Sequence, residues 1–153
     1  MAEDSHLLTD IRLALRHSEL RPVYVVDTDR RRLPSKPGLF VDMGAVSGRD
    51  NLAQAIIVRL LTPRGELSSL GHPQYGSRLH SLIGEQNTET TRNLAKLYIM
   101  ESLQMESRIE KVLELSVEPV EGNRSRVNVR LCVKPIRTTE TVAIGPFILE
   151  LEQ

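Results

Sequence analysis

The alternation of apolar and polar positions changes character along the chain. Between residues 4 and 18, Leu7, Leu8, Ile11, Ala14 and Leu15 recur with a helical period behind a capping Asp4 or Ser5. That spacing predicts a short helix needing a partner to dock on. From Arg21 to Gly48 the pattern becomes extended: VYVVDT at 23–28 predicts a strand, a Pro- and Arg-rich loop follows, and GLFVDM at 38–43 predicts a second extended piece. Residues 1–45 are therefore read as an N-terminal helix and extended arm, and residues 46–153 as the main domain.

The main domain opens helically. Asp50 is the expected N-cap, Leu52, Ala53, Ile56, Ile57, Leu60 and Leu61 form a wide apolar stripe, and Pro63 ends the helix. A short helical piece is expected from Ser77 to Ile83, closed by Gly84. A long helix is expected from about Thr88 to Met105, with Leu94, Ala95, Leu97, Tyr98, Met100 and Leu103 giving it apolar surface over much of its circumference.

The last third switches to a period of two. Leu113, Leu115 and Val117 alternate with polar residues, as do Val127, Val129, Leu131 and Val133, and the two runs are joined by EGNRS as a hairpin. PFILELE adds a further strand with Phe147, Leu149 and Leu151 on one face. A small antiparallel sheet, mainly of C-terminal strands and apolar on one side, needs helices to cover it. The predicted class is α+β, the sheet packed against two to three helices.

Composition narrows the partners. The 153 residues suit one compact domain, and 20 basic residues balance 20 acidic ones, so no net field favours nucleic acid or an anionic membrane. Aromatic residues are only 3%, too few for a base-stacking platform. The basic run Arg30-Arg31-Arg32 lies beside Asp27 and Asp29 and reads as a solvated loop. One cysteine, Cys132, has no partner for an internal disulfide, and the acidic N-terminus lacks the apolar stretch of a signal peptide, which points to synthesis in a reducing cytoplasm. No apolar run approaches the roughly 20 residues that span a bilayer.

Candidate chemistry concentrates in RGELSSLGHPQYGSRLHSLIG, Arg64 to Gly84. Glu66, with Asp50, Glu85, Glu89 and Glu106 elsewhere, supplies carboxylates of the kind a glycosidase pairs across a sugar bond. Spacing does not show that any two converge, and the chain's five aromatics leave little to hold a sugar, with only Tyr75 near the loop. The bland reading of Glu66 is a surface glutamate beside a helix. His72 and His80 lack the one-turn spacing of helix-borne metal ligands and have no companion, so no metal or cofactor is expected. His72, directly before Pro73, reads as a turn residue whose ring bonds a backbone group. No nucleophile elbow, Walker loop or dinucleotide glycine pattern occurs.

DNLAQAIIVRLLTPRGEL, LGHPQYGSRLHSLIGE and NTETTRNLAKLYIMESLQMESRI, in that order and spacing, resemble the lysozyme-like baseplate wedge proteins of contractile phage tails. Relatives of that family occur in type VI secretion baseplates and extracellular contractile injection particles. The match is close from Ser47 to Pro119 and by pattern beyond. What the resemblance implies is a structural part without an active site, several copies standing around a sixfold baseplate. Each would join the wedge's central helical bundle to the contractile sheath, whose first ring docks by strand addition. Its partners would be baseplate wedge proteins and the sheath protein. The family's Glu-Pro-Arg motif after the long helix, which touches the wedge bundle, corresponds here to Glu106-Ser107-Arg108; the proline that would fix a backbone angle is lost and both charges remain. On this reading Arg64, Glu66, His72, Tyr75, Glu106 and Arg108 form the protein-interaction surface. LTPRGEL and GHPQYGS are kept in full, which favours a phage-like or extracellular particle. The alternatives are a peptidoglycan-cleaving enzyme using Glu66, or a stand-alone regulatory protein-binding domain of the same fold.

Overall fold

The computed structural model describes residues 4–14, 26–31, 38 and 40–151. The order of elements is a 3-10 turn (Ser5–Leu7), β1 (Thr9–Ile11), β2 (Thr28–Arg31), β3 (Phe40–Met43), β4 (Ala45–Ser47), α1 (Gly48–Leu61), α2 (Glu89–Gln104), β5 (Ile109–Val120), β6 (Asn123–Pro135) and β7 (Val142–Glu150), with further 3-10 turns at Ser68–Leu70 and Leu79–Leu82. The class is α+β. Strands β5, β6 and β7 form one antiparallel sheet in that order, and two small pairs, β1 with β4 and β2 with β3, make up the N-terminal layer.

The core lies between α1, α2 and one face of the C-terminal sheet. Leu52, Ile56 and Leu60 from α1 meet Ala95, Ile99 and Leu103 from α2 over Val127, Val129, Leu131 and Val133 of β6 and Val142, Ile144, Phe147 and Leu149 of β7. Helix α1 is capped by Ser47 rather than Asp50, which sits in its first turn, where a carboxylate favours the helix dipole. Helix α2 starts where Thr88 accepts a hydrogen bond from the Thr91 amide. Its apolar surface is narrower than predicted: Leu94 and Leu97 face solvent, and the buried face carries Thr91, Ala95, Tyr98, Ile99, Ser102 and Leu103.

Sheet irregularities explain the other departures. In β5, Val112 pairs with Val133 and Glu114 with Cys132, so Leu113 is the extra residue of a bulge. The bulge resets the alternation: Val112 and Leu115 pack on the core, while Leu113, expected inside, is exposed. In β7, Gly145 and Pro146 stand opposite Arg130 alone, between the Leu131–Ile144 and Val129–Phe147 pairs. Gly145 has φ +100°, and a Cβ there would collide with the Val129 carbonyl oxygen. The strand therefore starts earlier than PFILELE, and Val142 and Ile144 join the core.

The N-terminal prediction fails where it is described. Residues 4–13 form a 3-10 turn, then β1, then an isolated bridge from Leu13 to Val26; residues 15–18 lie outside the described residues. Only Leu7 enters the core, whereas Leu8 and Ile11 are exposed, so the helical period does not build one buried stripe. Leu8 holds φ +68°, which breaks a helix at the second leucine. The strand expected at 23–28 is displaced to Thr28–Arg31, with 23–25 outside the described residues. Arg30 and Arg31, expected in a loop, pair with Val41 and Phe40 in the β2–β3 ladder; Arg32 is not among the described residues. The helical piece expected at 77–83 is the 3-10 turn Leu79–Leu82. Among the described residues no helix is long and apolar enough to cross a membrane.

Candidate functional site

The loop that follows α1 is fastened at both ends. Arg64 donates its amide to the Ser77 carbonyl at 2.8 Å, Ser77 donates its own to Thr62 at 2.8 Å, and the Ser77 hydroxyl, buried, bonds the last turn of α1 at Leu60 (2.6 Å). Gly76, at φ +101°, lies against the Thr62 carbonyl oxygen, leaving no room for a side chain. From α2, the Ser102 hydroxyl reaches the Gly76 carbonyl at 3.1 Å. Between these anchors the loop bonds to itself: Glu66 to Pro63, Leu70 and His72 to Leu67, and Tyr75 to His72. Such a loop is a rigid connector.

Its tip is exposed. Glu66, Leu70 and His72 face solvent, with Leu70 at 71% exposure. His72 bonds through its main chain, donating to Leu67 and accepting from Tyr75, so the turn is made by the backbone where the ring was expected to make it. Arg64 turns away from this tip toward α2, with its guanidinium 3.6 Å from Glu101, which also lies 3.6 Å from Arg78.

Tyr75, Glu106 and Arg108 come together elsewhere, around an arginine the sequence reading missed. The Arg59 guanidinium lies 4.5 Å from the centre of the Tyr75 ring, a cation–π arrangement that links the loop to α1. The same side chain approaches Glu106 at 3.3 Å. Arg108 grips Glu106 through two parallel bonds, Nε to Oε1 at 2.8 Å and Nη2 to Oε2 at 3.1 Å. Its backbone amide adds a contact at 3.3 Å. Glu106 is buried, and both arginines are mostly so. The Arg108 fork is thus closed on Glu106, and the ion pair is a buried one.

Electrostatics follow from that closure. Burial raises the Glu106 carboxyl, but hydrogen bonds and charge from Arg108, with Arg59 adding to them, prevail and hold its pKa below the ordinary glutamate value. Arg108 is raised by its hydrogen bonds to Glu106. A carboxylate held ionised in this way is unsuited to donating a proton to a leaving group at neutral pH. His80 is lowered by burial, against the opposing charge of Glu66. Among the described residues no group of His, Cys, Asp and Glu could hold a metal ion.

Beside the cluster lies a recess of about 470 Å³, lined by Asp10, Ile11 and Leu13 from the N-terminal segment and by Val58, Tyr75 and Arg108 from the main domain. Arg59, whose Nε is buried without a hydrogen-bond partner among the described residues, lines it as well. The sequence signal for Arg59 was weak, because a lone arginine on an apolar helix reads as a solvated edge.

The fold has a solved counterpart. A crystal structure described as a "putative tail lysozyme" from Geobacter sulfurreducens superposes with a TM-score of 0.62 at 23% identity, covering 73% of this chain and 98% of that one. The match thus spans nearly all of that chain and leaves about a quarter of this one outside it. At this identity the likeness is one of fold. No family model matches the chain, and neither does any curated protein.

Proposed function

We propose that this protein is a structural component of a contractile, phage tail-like injection machine, working through its surfaces and not through turnover. The observation that carries the reading is the loop 64–76: fastened to α1 and α2, bonded internally, and presenting Glu66, Leu70 and His72 on a rigid tip. Such a projection suits docking. The fold likeness to a protein described as a "putative tail lysozyme" supports the setting, as does the resemblance of the helix-loop-helix segment to baseplate wedge proteins. In that role the tip and the Glu106–Arg108 turn face wedge proteins, and several copies stand around a sixfold baseplate.

The sheath would join by strand addition at β5. The order β5-β6-β7 makes β5 and β7 the outer strands of the sheet. Strand β7 is interrupted by Gly145 and Pro146, and just beyond its end Leu151 is tied to Gly84 and Ser125. Strand β5 keeps unbroken register from Glu114 to Pro119, and exposed Glu114 and Glu118 discourage indiscriminate pairing. An incoming strand needs such a continuous edge.

The test is co-purification of the tagged protein from the organism that makes it, wild type beside Leu70→Asp and His72→Glu, with bound proteins identified by mass spectrometry. Sheath and wedge proteins should accompany the wild type, and the tip variants should lose the wedge proteins while remaining folded. Their absence from the wild-type sample would defeat the reading. The rival, a peptidoglycan-cleaving enzyme, predicts hydrolysis by the purified protein that Glu66→Gln abolishes. A regulatory domain predicts a signalling protein in place of the sheath.

A further inference from the structure

Residues 4–13 are held as a bound peptide is held. Leu7 is the anchor, fully buried among core residues. Its carbonyl accepts from the Asn51 amide group at 3.0 Å and from Arg108 at 3.3 Å. Gly48 donates to the Leu8 carbonyl at 3.1 Å, and the β1–β4 ladder then pairs Thr9, Asp10 and Ile11 with Ser47, Val46 and Ala45. Gln54 completes the set, donating to the Ile11 carbonyl and accepting from the Leu13 amide, both at 2.8 Å.

These contacts share a chemistry. Side chains add the Leu7 anchor, an ion pair between Asp4 and Arg49 at 3.1 Å, a contact of the His6 ring with the Ile136 carbonyl at 2.7 Å and the pairing of Arg12 with Asp27 and Asp29; the remaining contacts read main-chain groups. The two amide side chains, Asn51 and Gln54, are both buried and stand one turn apart on α1, so α1 and β4 together form a built strand-acceptor groove. A groove that reads backbone does not distinguish the chain's own segment from the same segment of a neighbour. The only link from Ala14 to the next described residue, Val26, is residues 15–25, a stretch whose extended reach is roughly 40 Å.

We propose that this groove accepts residues 4–13 in trans, so that copies of this chain held side by side exchange the segment and become joined by it. Every contact of the closed form is then reproduced between copies, and the concentration of neighbouring copies against the effective concentration set by the link decides which arrangement prevails. The occupant is a second copy of this chain, recognised by one buried leucine and a main-chain ladder.

Thr9 and Ser47, both exposed and directly paired, provide the test. Opposed residues of an antiparallel ladder lie within disulfide range. In a Cys132→Ser background, a Thr9→Cys chain is mixed at high concentration with a Ser47→Cys chain, then oxidised mildly. A disulfide-linked heterodimer is expected. Adding Leu7→Asp to the Thr9→Cys chain should reduce its yield by about tenfold or more, since a charge cannot occupy the anchor pocket. The doubly substituted Thr9→Cys/Ser47→Cys chain reports whether the segment seats at all. Closure within that chain without any heterodimer would show exchange does not occur, and closure in neither format would show the groove is not its site. Heterodimer insensitive to Leu7→Asp would mark random thiol coupling and equally overturn the proposal.

Discussion

The ion-pair clusters around Glu106 and around Arg12 differ in surroundings more than in chemistry. Around Glu106, Arg108 and Arg59 have side chains 17% and 11% exposed, and the carboxylate is 7% exposed. Around Arg12, which bonds Asp27 at 2.8 Å and also Asp29, the exposures are 35%, 45% and 35%. The first lies where α1, the end of α2 and the start of β5 converge. The second ties β1 to the β2 strand, with the Arg12 guanidinium lying over Gly44. Ion pairs in water contribute little because solvent competes for both partners; buried ones become costly to break because the survivor has nowhere to place its charge. The main domain is therefore locked by its cluster, and the N-terminal layer is only fastened by its own.

The sharpest way to break this contrast is Glu106→Gln. It leaves two largely buried guanidinium groups without their counter-charge, and chemical denaturation should show a loss of about 3 kcal/mol. Pairing the change with Arg108→Met should recover part of that loss, because the second charge is removed as well. A stability change below about 1 kcal/mol for Glu106→Gln would mean that the cluster is solvated like its N-terminal counterpart.

A second comparison sets two buried leucines against each other. Leu103→Ala, in α2, should cost about 3 kcal/mol of global stability, the transfer and cavity cost of a core leucine. Leu7→Ala removes the same atoms from the same core, yet its segment has the option of undocking as a unit. Its global cost should fall below that of Leu103→Ala, and the loss should appear instead as faster hydrogen exchange at the amides of residues 7–13. Equal global costs would mean that the segment and the main domain unfold as one.

These expectations also show what was legible beforehand. Elements that bury one continuous face were read from their spacing: α1, α2, β6 and the end of β7 each present an uninterrupted period against the core. What failed was set by local interruptions. The bulge at Leu113 and the Gly145–Pro146 step shift a strand's phase without changing its composition, so alternation alone misplaces the inward residues. The N-terminal segment failed for a different reason. Its leucines have helical spacing, but Asn51, Gln54 and the β4 edge offer its backbone enough bonds to make extension the better state. The signal was present in α1, where two amide residues one turn apart adjoin the apolar stripe. Of the six residues named for an interaction surface, the fold brings Tyr75, Glu106 and Arg108 together, and Arg59, which joins them, was visible only once the chain was folded.

Acid separates the groups by sign. His80 has a folded pKa below its unfolded value, so the neutral ring is favoured in the fold; its contribution is complete above about pH 6.5 and is lost as pH falls through the lowered value. Glu106 is depressed too, and its contribution is complete above about pH 4.5 and lost below. Stability followed from pH 8 downward should decline first below about 6.5, a decline that His80→Gln removes, and then more steeply below about 4.5, a decline that Glu106→Gln flattens. A single acid transition unaffected by His80→Gln would place the histidine in solvent.

The smallest effect belongs to the exposed cluster, and it is the one that salt should erase. Arg12→Met removes a guanidinium that is open to water, so global stability should stay within the error of the measurement at physiological ionic strength. The change should surface at low salt, as faster exchange of the β2 and β3 amides, because the Arg12 backbone also bridges Gly44 and Asp27 and loses its side-chain brace. Arg108→Met, measured in the same way, should be nearly indifferent to salt, since counter-ions do not reach a buried pair. If the two variants responded alike to ionic strength, burial would not be what distinguishes the clusters, and the division of the molecule into a locked domain and a fastened N-terminal layer would fail with it.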